Sequence, residues 1–511
     1  MLVQNKSQVL LLSVPLMEIK RPAPAIYHLK GQLTAGNVSC AAIDANILLY
    51  NAVGQESWNK VQNGLNFEAE IKSVPLDVIK ILETELVDIV KTQIEQVDPD
   101  WIGISVFSVN SRIATTIILQ NIRHIYPDKK IVVGGMGLGV TIGSKEYEYA
   151  EELQQQGLID YYIAAEGEVA LVELICNDNP NYPGINSTPK QIGDLEGLAF
   201  ADYTDCDHAL YPFKDYDYGR PVYVLTGSRG CVRRCDFCDV YRLWPKFKTR
   251  GGEHIAQEMI HHYETRGVDN FYFSDSLVNG SMKAFRETSE IIYKYKQDHN
   301  VDFIWGGQFI CRTNGQMGPE DYELARASGM RNTGIGLEHA SERMRMAMRK
   351  GFSDQALEDT LRNHQTYGIN TMLNILFGHP VETLDDHHKN LEFLDNYQDL
   401  MDDGTIASLN LQTYIAFLPG TDFADKFENY TVQDTNIPTE KTNNKKIPLF
   451  WKSKMVDTLD FPEIYRRRKE VSDACAEKNW RTVNERVFMQ KMETELLLYN
   501  RWKAESKITL R

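Results

Sequence analysis

Along the first part of the chain, short apolar runs alternate with longer stretches in which apolar positions recur every three or four residues. The longer stretches cover residues 75–96 and 111–126 and predict amphipathic helices. The short runs predict buried strands at residues 9–12, 40–43, 101–107, 130–133 and 161–164. Strands and helices in alternation are typical of an α/β fold. We therefore predict a Rossmann-like, doubly wound sheet over residues 1–176.

The alternation stops over residues 177–220, where Asn, Pro, Gly, Asp and Tyr dominate, and this segment is predicted to be a linker. It resumes with strand-like runs at 222–225, 271–273, 303–305, 333–337, 372–377 and 406–414. One run about every 33 residues is the spacing of a βα repeat, so residues 221–421 are predicted to form a partial (βα)6 barrel of the TIM type. The chemistry of such barrels lies at the carboxyl ends of the strands. Residues 422–511 are predicted to be a basic, mainly helical region.

The composition disfavours two classes of protein, general polyanion binders and membrane-spanning proteins. The chain has 511 residues and a formal net charge of -16, which disfavours a general binder of polyanions. No apolar run approaches the roughly 18 residues that span a membrane. The apolar residues 9–17 are interpreted as a buried first strand rather than a secretory signal, so a cytoplasmic location is expected.

Positive charge is concentrated towards the end of the sequence, where residues 441–511 carry 17 Lys and Arg against 10 Asp and Glu. Four of these cations are consecutive, from Arg466 to Lys469. We interpret this run as a solvated helix face. The alternative is a contact with an acidic partner such as RNA or a phosphorylated substrate.

Three of the eight cysteines, Cys231, Cys235 and Cys238, lie within eight positions, just after the first predicted barrel strand. Thiolate ligands on one short loop suit an iron–sulfur cluster or zinc. With no fourth cysteine nearby, a 4Fe-4S cluster would keep one iron open to a small molecule. Zinc would need a fourth ligand, and the nearest downstream histidine is 16 positions beyond the last cysteine. Arg233 and Arg234 inside the loop are expected to favour the thiolate over the thiol.

The loop resembles the signature of the radical S-adenosylmethionine (radical SAM) superfamily, in which C-x3-C-x-aromatic-C follows a barrel strand. The resemblance implies that Cys231, Cys235 and Cys238 hold a 4Fe-4S cluster whose open iron binds the amino and carboxylate groups of S-adenosylmethionine. It places Phe237 beside the adenine. It also implies reductive cleavage of the sulfonium to a 5′-deoxyadenosyl radical, which abstracts hydrogen from a small-molecule substrate. An electron donor such as flavodoxin or ferredoxin is the implied protein partner.

Later strands extend the resemblance. The matching segments are residues 273–276 (F-S-D-S), 334–338 (G-I-G-L-E), 377–383 (F-G-H-P-V-E-T) and 419–421 (P-G-T). They imply contacts to S-adenosylmethionine from Asp275, Ser276 and Glu338. The chain departs from the family pattern at Val381, which replaces a glycine, and at residues 275–276, where other branches have Gly-Gly-Glu. Arg312, after the third strand, is a further candidate for a carboxylate or ribose contact, with a surface salt bridge as the alternative.

Placed before such a barrel, the N-terminal sheet resembles the cobalamin-binding domain of one branch of the superfamily. The segments that carry this resemblance are residues 43–46, 103–105, 132–135 and 165–170. It implies a slot for the dimethylbenzimidazole tail of cobalamin, lined by Ser105, Gly134 and Gly135. The D-x-H-x-x-G motif that supplies a cobalt ligand is not intact, because Ile26 replaces the Asp before His28. No histidine ligand to cobalt is therefore expected, and a degenerate domain that binds nothing is the alternative.

These resemblances favour a radical SAM enzyme acting on a small molecule. The reaction would be methyl transfer to an unactivated carbon with cobalamin, or a related radical transformation such as cyclisation. Two alternatives stay open at this point. One is an RNA-modifying radical enzyme that docks through the basic C-terminal region, and the other is a non-catalytic sensor that binds cobalamin or a cluster. The sequence identifies no catalytic residue.

Overall fold

The structure, a computed structural model, describes residues 7–65, 73–139, 147–189, 191–215, 217–313, 315–418, 420–433, 440–442, 445–447 and 450–509. The chain forms two compact units, residues 1–225 with 257–272 and residues 226–256 with 273–511. The P-G-T segment at 419–421 begins with a residue that lies outside the described part of the chain.

The first unit is built on a five-stranded parallel sheet. Its strands are β1 (Val9–Ser13), β2 (Cys40–Asp44), β3 (Trp101–Ser105), β4 (Lys130–Gly135) and β5 (Tyr161–Ala164). They are arranged in the order β2-β1-β3-β4-β5. In open α/β sheets, ligands bind at the carboxyl edge where the strand order reverses, here between β1 and β3. The predicted doubly wound sheet is confirmed, and the apolar run at residues 9–12 is a buried strand.

Amphipathic helices and the segment at residues 177–220 pack in the first unit. The helices are Pro24–Ala35, Ala45–Leu65, Leu76–Ile81, Val87–Val97, Arg112–Ile122, Glu148–Gln155 and Glu168–Ile175, with a π-helical turn at Leu82–Leu86. The segment predicted to be a linker packs inside this unit. The Tyr203 ring stacks between Tyr27 and Tyr223, with centroid distances of 4.5 and 3.9 Å.

A second sheet has six strands in sequential order. They are β6 (Tyr223–Leu225), β7 (Asn270–Phe273), β8 (Ile304–Phe309), β9 (Met330–Glu338), β10 (Asn370–Ile375) and β11 (Ile406–Leu411). Their order is β11-β10-β9-β8-β7-β6, and β8 to β11 pair in parallel. The predicted partial α/β barrel is confirmed. The described residues also form two-stranded ribbons, which pair Ser228–Arg229 with Lys248–Thr249, Thr431–Gln433 with Trp451–Ser453, and Glu440–Thr442 with Lys445–Ile447.

Several helices of the barrel region begin at a side chain that caps them. The hydroxyls of Ser281, Ser341, Ser353 and Thr383 each accept a hydrogen bond from the first turn of the helix that follows. None of the helices within the described ranges combines the length and apolar character needed to cross a membrane. The helices after β6 are Val240–Leu243, Gly252–Arg266, Met282–His299, Pro319–Ser328, Glu342–Ala347, Asp354–Tyr367, Leu384–Asn396, Gln398–Asp402, Asp422–Asp425, Phe427–Tyr430, Phe461–Glu477 and Glu485–Thr509.

The run of four cations in the helix Phe461–Glu477 is only half solvated, which corrects the interpretation of the whole run as an exposed face. Arg467 and Arg468 are 1% and 0% exposed. Arg467 pairs with Glu382 at 3.3 Å, and Arg468 pairs with Glu485 at 2.7 Å. Helical periodicity explains the difference, because neighbouring residues in a helix lie about 100° apart, so a run of four must cross the buried face. The run therefore presents two surface cations rather than four.

Candidate functional site

The three cysteines lie on a loop that begins just after β6, and the start of this loop is fixed from two directions. The buried Asp275 carboxylate accepts hydrogen bonds from the Gly227 amide at 2.7 Å and the Ser228 hydroxyl at 2.6 Å. Burial raises the pKa of Asp275 to about 6, although these bonds oppose the rise. Gly230 has a φ of 83°, and a Cβ there would lie 3.1 Å from the Cβ of Trp244. The loop therefore requires a glycine at this position.

The middle of the loop is bonded to two segments more than 100 residues away in sequence. The Asp236 amide donates to the Met348 carbonyl at 3.2 Å, and the Asp236 carbonyl accepts from the Phe423 amide at 2.9 Å. The Cys235 thiol lies 3.9 Å from the Arg349 carbonyl oxygen. These contacts hold the cysteine loop against the main chain that follows β9 and β11.

Two of the three thiols, those of Cys235 and Cys238, have shifted pKa values. Burial raises the pKa of Cys235 to about 12 and that of Cys238 to about 11, and the neighbouring cysteines add to both rises. The cation that opposes these rises is Lys350. The expectation that Arg233 and Arg234 favour the thiolate over the thiol is corrected for Cys235 and Cys238, because burial outweighs the nearby cations. In the metal-free protein these two thiols are protonated at neutral pH, so binding of a metal must release protons.

Within the described ranges, no three His, Cys, Asp or Glu side chains converge on a point that one metal ion could fill. A 4Fe-4S cluster does not require its ligands to converge on one point. Each thiolate binds its own iron, so the three sulfurs are separated by the size of the cluster. The chemistry of the donor set, three free thiols on one short loop, suits a cluster of this kind. Among the residues that the structure describes, none donates a hydrogen bond to Asp236 Oδ1, a buried acceptor in the same loop.

Two cavities lie at the carboxyl ends of the barrel strands and share Glu338 and Asn374 in their walls. The smaller, of about 130 Å³, has a polar lining that includes Ser276 and Lys350. The larger, of about 290 Å³, is bordered by Phe237 and by apolar residues after β11. The structure thus brings three predicted residues together here, with Ser276 and Glu338 in one cavity and Phe237 and Glu338 in the other. Asp275 instead binds the start of the cysteine loop.

A buried ion pair joins the two cavities. Glu338 Oε1 lies 2.7 Å from Lys350 Nζ, and Glu338 has a positive φ of 62° at the end of β9. Although burial opposes it, the Glu338 carboxylate raises the pKa of Lys350, as does the Cys235 sulfur. A Cβ at Gly336 would collide with the side-chain ends of both Glu338 and Lys350. A side chain at Gly336, the second glycine of G-I-G-L-E, would therefore displace this pair.

Arg312 donates hydrogen bonds to main-chain carbonyls in the turn after β7. Its Nε donates to the Asn279 carbonyl at 3.1 Å, and its Nη2 donates to the Gly280 carbonyl at 2.6 Å. Burial, with a contribution from Arg233, lowers the pKa of Arg312. The structure assigns this guanidinium to the turn after β7 rather than to either cavity.

The cavity walls include residues that were not selected from the sequence, among them Lys350, Asn374 and Gln412. Asn374 lies near the carboxyl end of β10 and Gln412 directly follows β11. The rule that barrel function lies at strand ends could have found both. Lys350 follows the helix Glu342–Ala347 and carries no motif, so nothing in its local sequence identifies it.

The three predicted residues of the first unit lie together at the carboxyl edge of the sheet. Ser105 pairs in register with Ser13 on one side and Gly134 on the other. Gly135 has a φ of 114°, and a Cβ there would lie 2.6 Å from the Val106 carbonyl oxygen. The backbone conformation and the close carbonyl therefore require a glycine at position 135. A Cβ at Gly134 would make only ordinary van der Waals contacts.

The same edge carries exposed apolar side chains. Phe107 and Val109, just after β3, are 50% and 40% exposed. Asp44, at the end of β2, is buried and accepts a hydrogen bond from the Tyr211 hydroxyl at 2.8 Å. Burial raises the pKa of Asp44 to about 6. An apolar surface bordered by small hydroxyls and glycine suits a broad organic cofactor better than an ion.

A partial α/β barrel with a three-thiol loop after its first strand and polar cavities at the strand ends defines an iron–sulfur enzyme of the barrel class. Residues 225–394 match the family model described as "Radical SAM superfamily". These residues therefore carry a radical SAM domain, and members of that superfamily use a 4Fe-4S cluster and S-adenosylmethionine.

Curated relatives carry methyltransferase and cyclase names. Over 266 residues, 49% of this chain and 50% of the relative, the sequence is 26% identical to an anaerobic magnesium-protoporphyrin IX monomethyl ester cyclase of Synechocystis. Over 322 residues, 59% of this chain and 65% of the relative, it is 23% identical to an uncharacterized methyltransferase of Pyrococcus horikoshii. The matches thus span between half and two thirds of the length of these relatives.

Two solved structures share the fold over most of the chain. One is the radical SAM methyltransferase TsrM from Kitasatospora setae, bound to tryptophan and a SAM analogue, with a TM-score of 0.60, 16% identity, and coverage of 86% of this chain and 80% of TsrM. The other is the cobalamin-dependent radical SAM enzyme OxsB, with a TM-score of 0.60, 15% identity, and coverage of 93% of this chain and 66% of OxsB. At these identities the likeness establishes the fold.

Proposed function

We propose that this protein cleaves S-adenosylmethionine reductively and transfers a methyl group to carbon in a small molecule, or carries out a related radical transformation, with cobalamin at its N-terminal sheet. The observation that carries the proposal is the loop of three neighbouring thiols after the first strand of a radical SAM barrel. When bound, the cluster supplies the electron that cleaves the sulfonium, and cobalamin supplies a methyl carrier.

Cys231, Cys235 and Cys238 would hold the cluster, because they are the donors that one short loop brings together. Asp275 keeps the start of that loop in place through Gly227 and Ser228. Lys350, held as a cation beside Cys235, would offset part of the negative charge that three thiolates introduce.

The two cavities would take S-adenosylmethionine and part of the substrate. Phe237 and the apolar wall of the larger cavity suit the flat face of an adenine. Glu338 and Ser276 line the smaller, polar cavity and suit the hydroxyl and amino groups of the cofactor. Burial of the Glu338–Lys350 pair would exclude water from the space where a reactive radical forms.

Cobalamin would bind at the carboxyl edge of the first sheet, beside Ser105, Gly134 and Gly135. Support comes from the exposed apolar surface at this edge and from the switch point between β1 and β3. The fold is shared with structures of TsrM and OxsB that contain cobalamin. The chain offers no intact D-x-H-x-x-G motif, so we assign no histidine to cobalt.

We assign the enzyme a small-molecule substrate, a protein electron donor of the flavodoxin or ferredoxin class, and a reducing, cytoplasmic compartment. The RNA-modifying alternative loses support because Arg467 and Arg468, the centre of the basic run, are buried in ion pairs.

The test is anaerobic reconstitution with iron and sulfide, comparing the wild type with Cys235→Ala. The control is Cys475→Ala, another buried cysteine in the helix Phe461–Glu477. The wild type and the control are expected to bind about four irons and form 5′-deoxyadenosine or S-adenosylhomocysteine under reduction, and Cys235→Ala is expected to do neither. Zinc without iron would contradict the proposal. Tight cofactor binding without cleavage of S-adenosylmethionine would point to a sensor.

A further inference from the structure

A second polar contact links the cysteine loop to the rest of the barrel. His379, in the turn after β10, is 2% exposed, and its Nε2 lies 3.4 Å from Asp236 Oδ2. On the other side of the ring, the Val381 amide donates to Nδ1 at 3.4 Å. In the neutral ring the proton therefore lies on Nε2 and points at the Asp236 carboxylate. The contact is a directed hydrogen bond between residues 143 positions apart.

The imidazole ring is itself held in place. It packs against the rings of Phe423 and Tyr430, with centroid distances of 5.1 and 6.4 Å. Phe423 also donates its amide to the Asp236 carbonyl at 2.9 Å. Two residues therefore hold Asp236 in place. His379 contacts its side chain, and Phe423 bonds to its main chain.

The contact with His379 involves only one of the two carboxylate oxygens of Asp236. Asp236 is 7% exposed, and its Oδ1 has no hydrogen-bond partner in the described part of the chain. Native proteins satisfy nearly all buried polar atoms, so an unsatisfied oxygen next to Cys235 calls for a functional explanation. An iron–sulfur cluster on this loop would supply such an explanation, because its reduction potential depends on nearby charge.

We propose that Asp236 and His379 position the cysteine loop and set the local electrostatic potential at the cluster. The inference rests on the proposed function. A buried carboxylate beside a cluster disfavours the added electron and lowers the reduction potential, whereas the hydrogen bond from His379 spreads that charge and limits the effect. Both are positioning residues, because neither needs to touch S-adenosylmethionine or the substrate.

The direct test compares Asp236→Asn with His379→Phe in anaerobically reconstituted protein. Asp236→Asn keeps the shape of the side chain and removes the charge. At one applied potential the ratio of reduced to oxidised cluster should rise about tenfold, an upward shift of about 59 mV for a one-electron couple. His379→Phe keeps an aromatic ring but cannot donate, and should shift the potential downward. His379→Gln, which can donate, should stay close to the wild type.

The matched control is His387→Gln. His387 is another fully buried imidazole, whose Nε2 lies 3.0 Å from Glu470 Oε2, and both residues lie on helices outside the cysteine loop. This variant should leave the potential and the electron paramagnetic resonance spectrum of the reduced cluster unchanged. A shift equal to that of Asp236→Asn would overturn the proposal, because general destabilisation would then explain both.

A second readout uses the iron-free protein and so separates this inference from the proposed function. Alkylation by iodoacetamide, mapped by mass spectrometry, should be at least about tenfold faster at Cys235 in His379→Phe than in the wild type, with Cys475 unchanged. If the wild type bound no iron, the proposed function would fail while this readout still tested the positioning role. Unchanged alkylation overturns that role. Unchanged potentials in folded Asp236→Asn and His379→Phe overturn the electrostatic one.

Discussion

Replacing Arg468 by alanine is expected to destabilise the second unit far more than replacing Arg466 in the same helix. The Arg468 guanidinium is fully buried and donates to the Leu411 carbonyl at 2.8 Å and to both carboxylate oxygens of Glu485 at 2.7 and 2.9 Å. It therefore ties the helix Glu485–Thr509 to the end of β11. Arg466 is 49% exposed and pairs with two glutamates on its own helix.

Removing one partner of a buried ion pair costs about 3–5 kcal/mol, because the other partner is left uncompensated. Glu485 keeps 20% of its side chain exposed, so the loss for Arg468→Ala should lie near the lower end, at about 3 kcal/mol. For Arg466→Ala the expected loss is about 1 kcal/mol or less, as for exposed pairs. The measurement is the free energy of unfolding from urea titration followed by circular dichroism.

A double variant, Arg468→Ala with Glu485→Gln, checks the cause of the loss. It should recover part of the stability, because the uncompensated carboxylate is removed. Equal losses in Arg468→Ala and Arg466→Ala, or no recovery in the double variant, would refute the assignment of Arg468 to a buried ion pair.

Three further changes follow from the site and its surroundings. Gly336→Ala should displace the Glu338–Lys350 pair and weaken binding of S-adenosylmethionine about tenfold in equilibrium dialysis, because a crowded substitution costs about 1–3 kcal/mol. Asp275→Asn loses one of its two acceptor bonds to the cysteine loop and should lower retained iron, measured by elemental analysis. Although burial opposes it, hydrogen bonds from Arg343, Thr383 and Ser341 lower the pKa of Asp386. The resulting stability is present above the unfolded pKa of about 3.9 and is lost as the pH falls below it. Arg343→Ala should therefore raise the midpoint pH of acid unfolding.

Each of these has a result that would count against it. Unweakened binding in Gly336→Ala would mean that the pair does not shape the cofactor cavity, with Gly193→Ala, at an uncrowded position, as the control. Full iron retention in Asp275→Asn would show that the loop start is fixed by other contacts. An unchanged acid midpoint in Arg343→Ala would mean that Asp386 contributes no pH-dependent stability.

The strand pattern and the cysteine loop were predictable because both are local in sequence. Buried parallel strands form continuous apolar runs, so β1 to β5 appear near their predicted positions. Boundaries were less exact, and β8 extends to Phe309 although the predicted strand ends at residue 305. The reason is that its last residues include Gly306 and Gln308, which lack a strand signal and are held by pairing with β9.

What could not be predicted depends on contacts between distant parts of the sequence. The charges of Arg467 and Arg468 suggest exposure, and only the packing of their helix on the turn after β10 and on the last helix buries them. Lys350 enters the cavity because the chain returns to Glu338 after a short helix. Burial is the main cause of the raised thiol pKa values. The number of arginines nearby in the sequence does not show how deeply a thiol is buried.

The most direct test of the central claim is the electron paramagnetic resonance spectrum of the reduced, anaerobically reconstituted protein before and after addition of S-adenosylmethionine. We predict a 4Fe-4S signal that changes when the cofactor is added, because one iron is open to it, and no signal when Cys231, Cys235 and Cys238 are all replaced by alanine. A signal that survives the triple substitution, or one that S-adenosylmethionine leaves unchanged, would contradict the account.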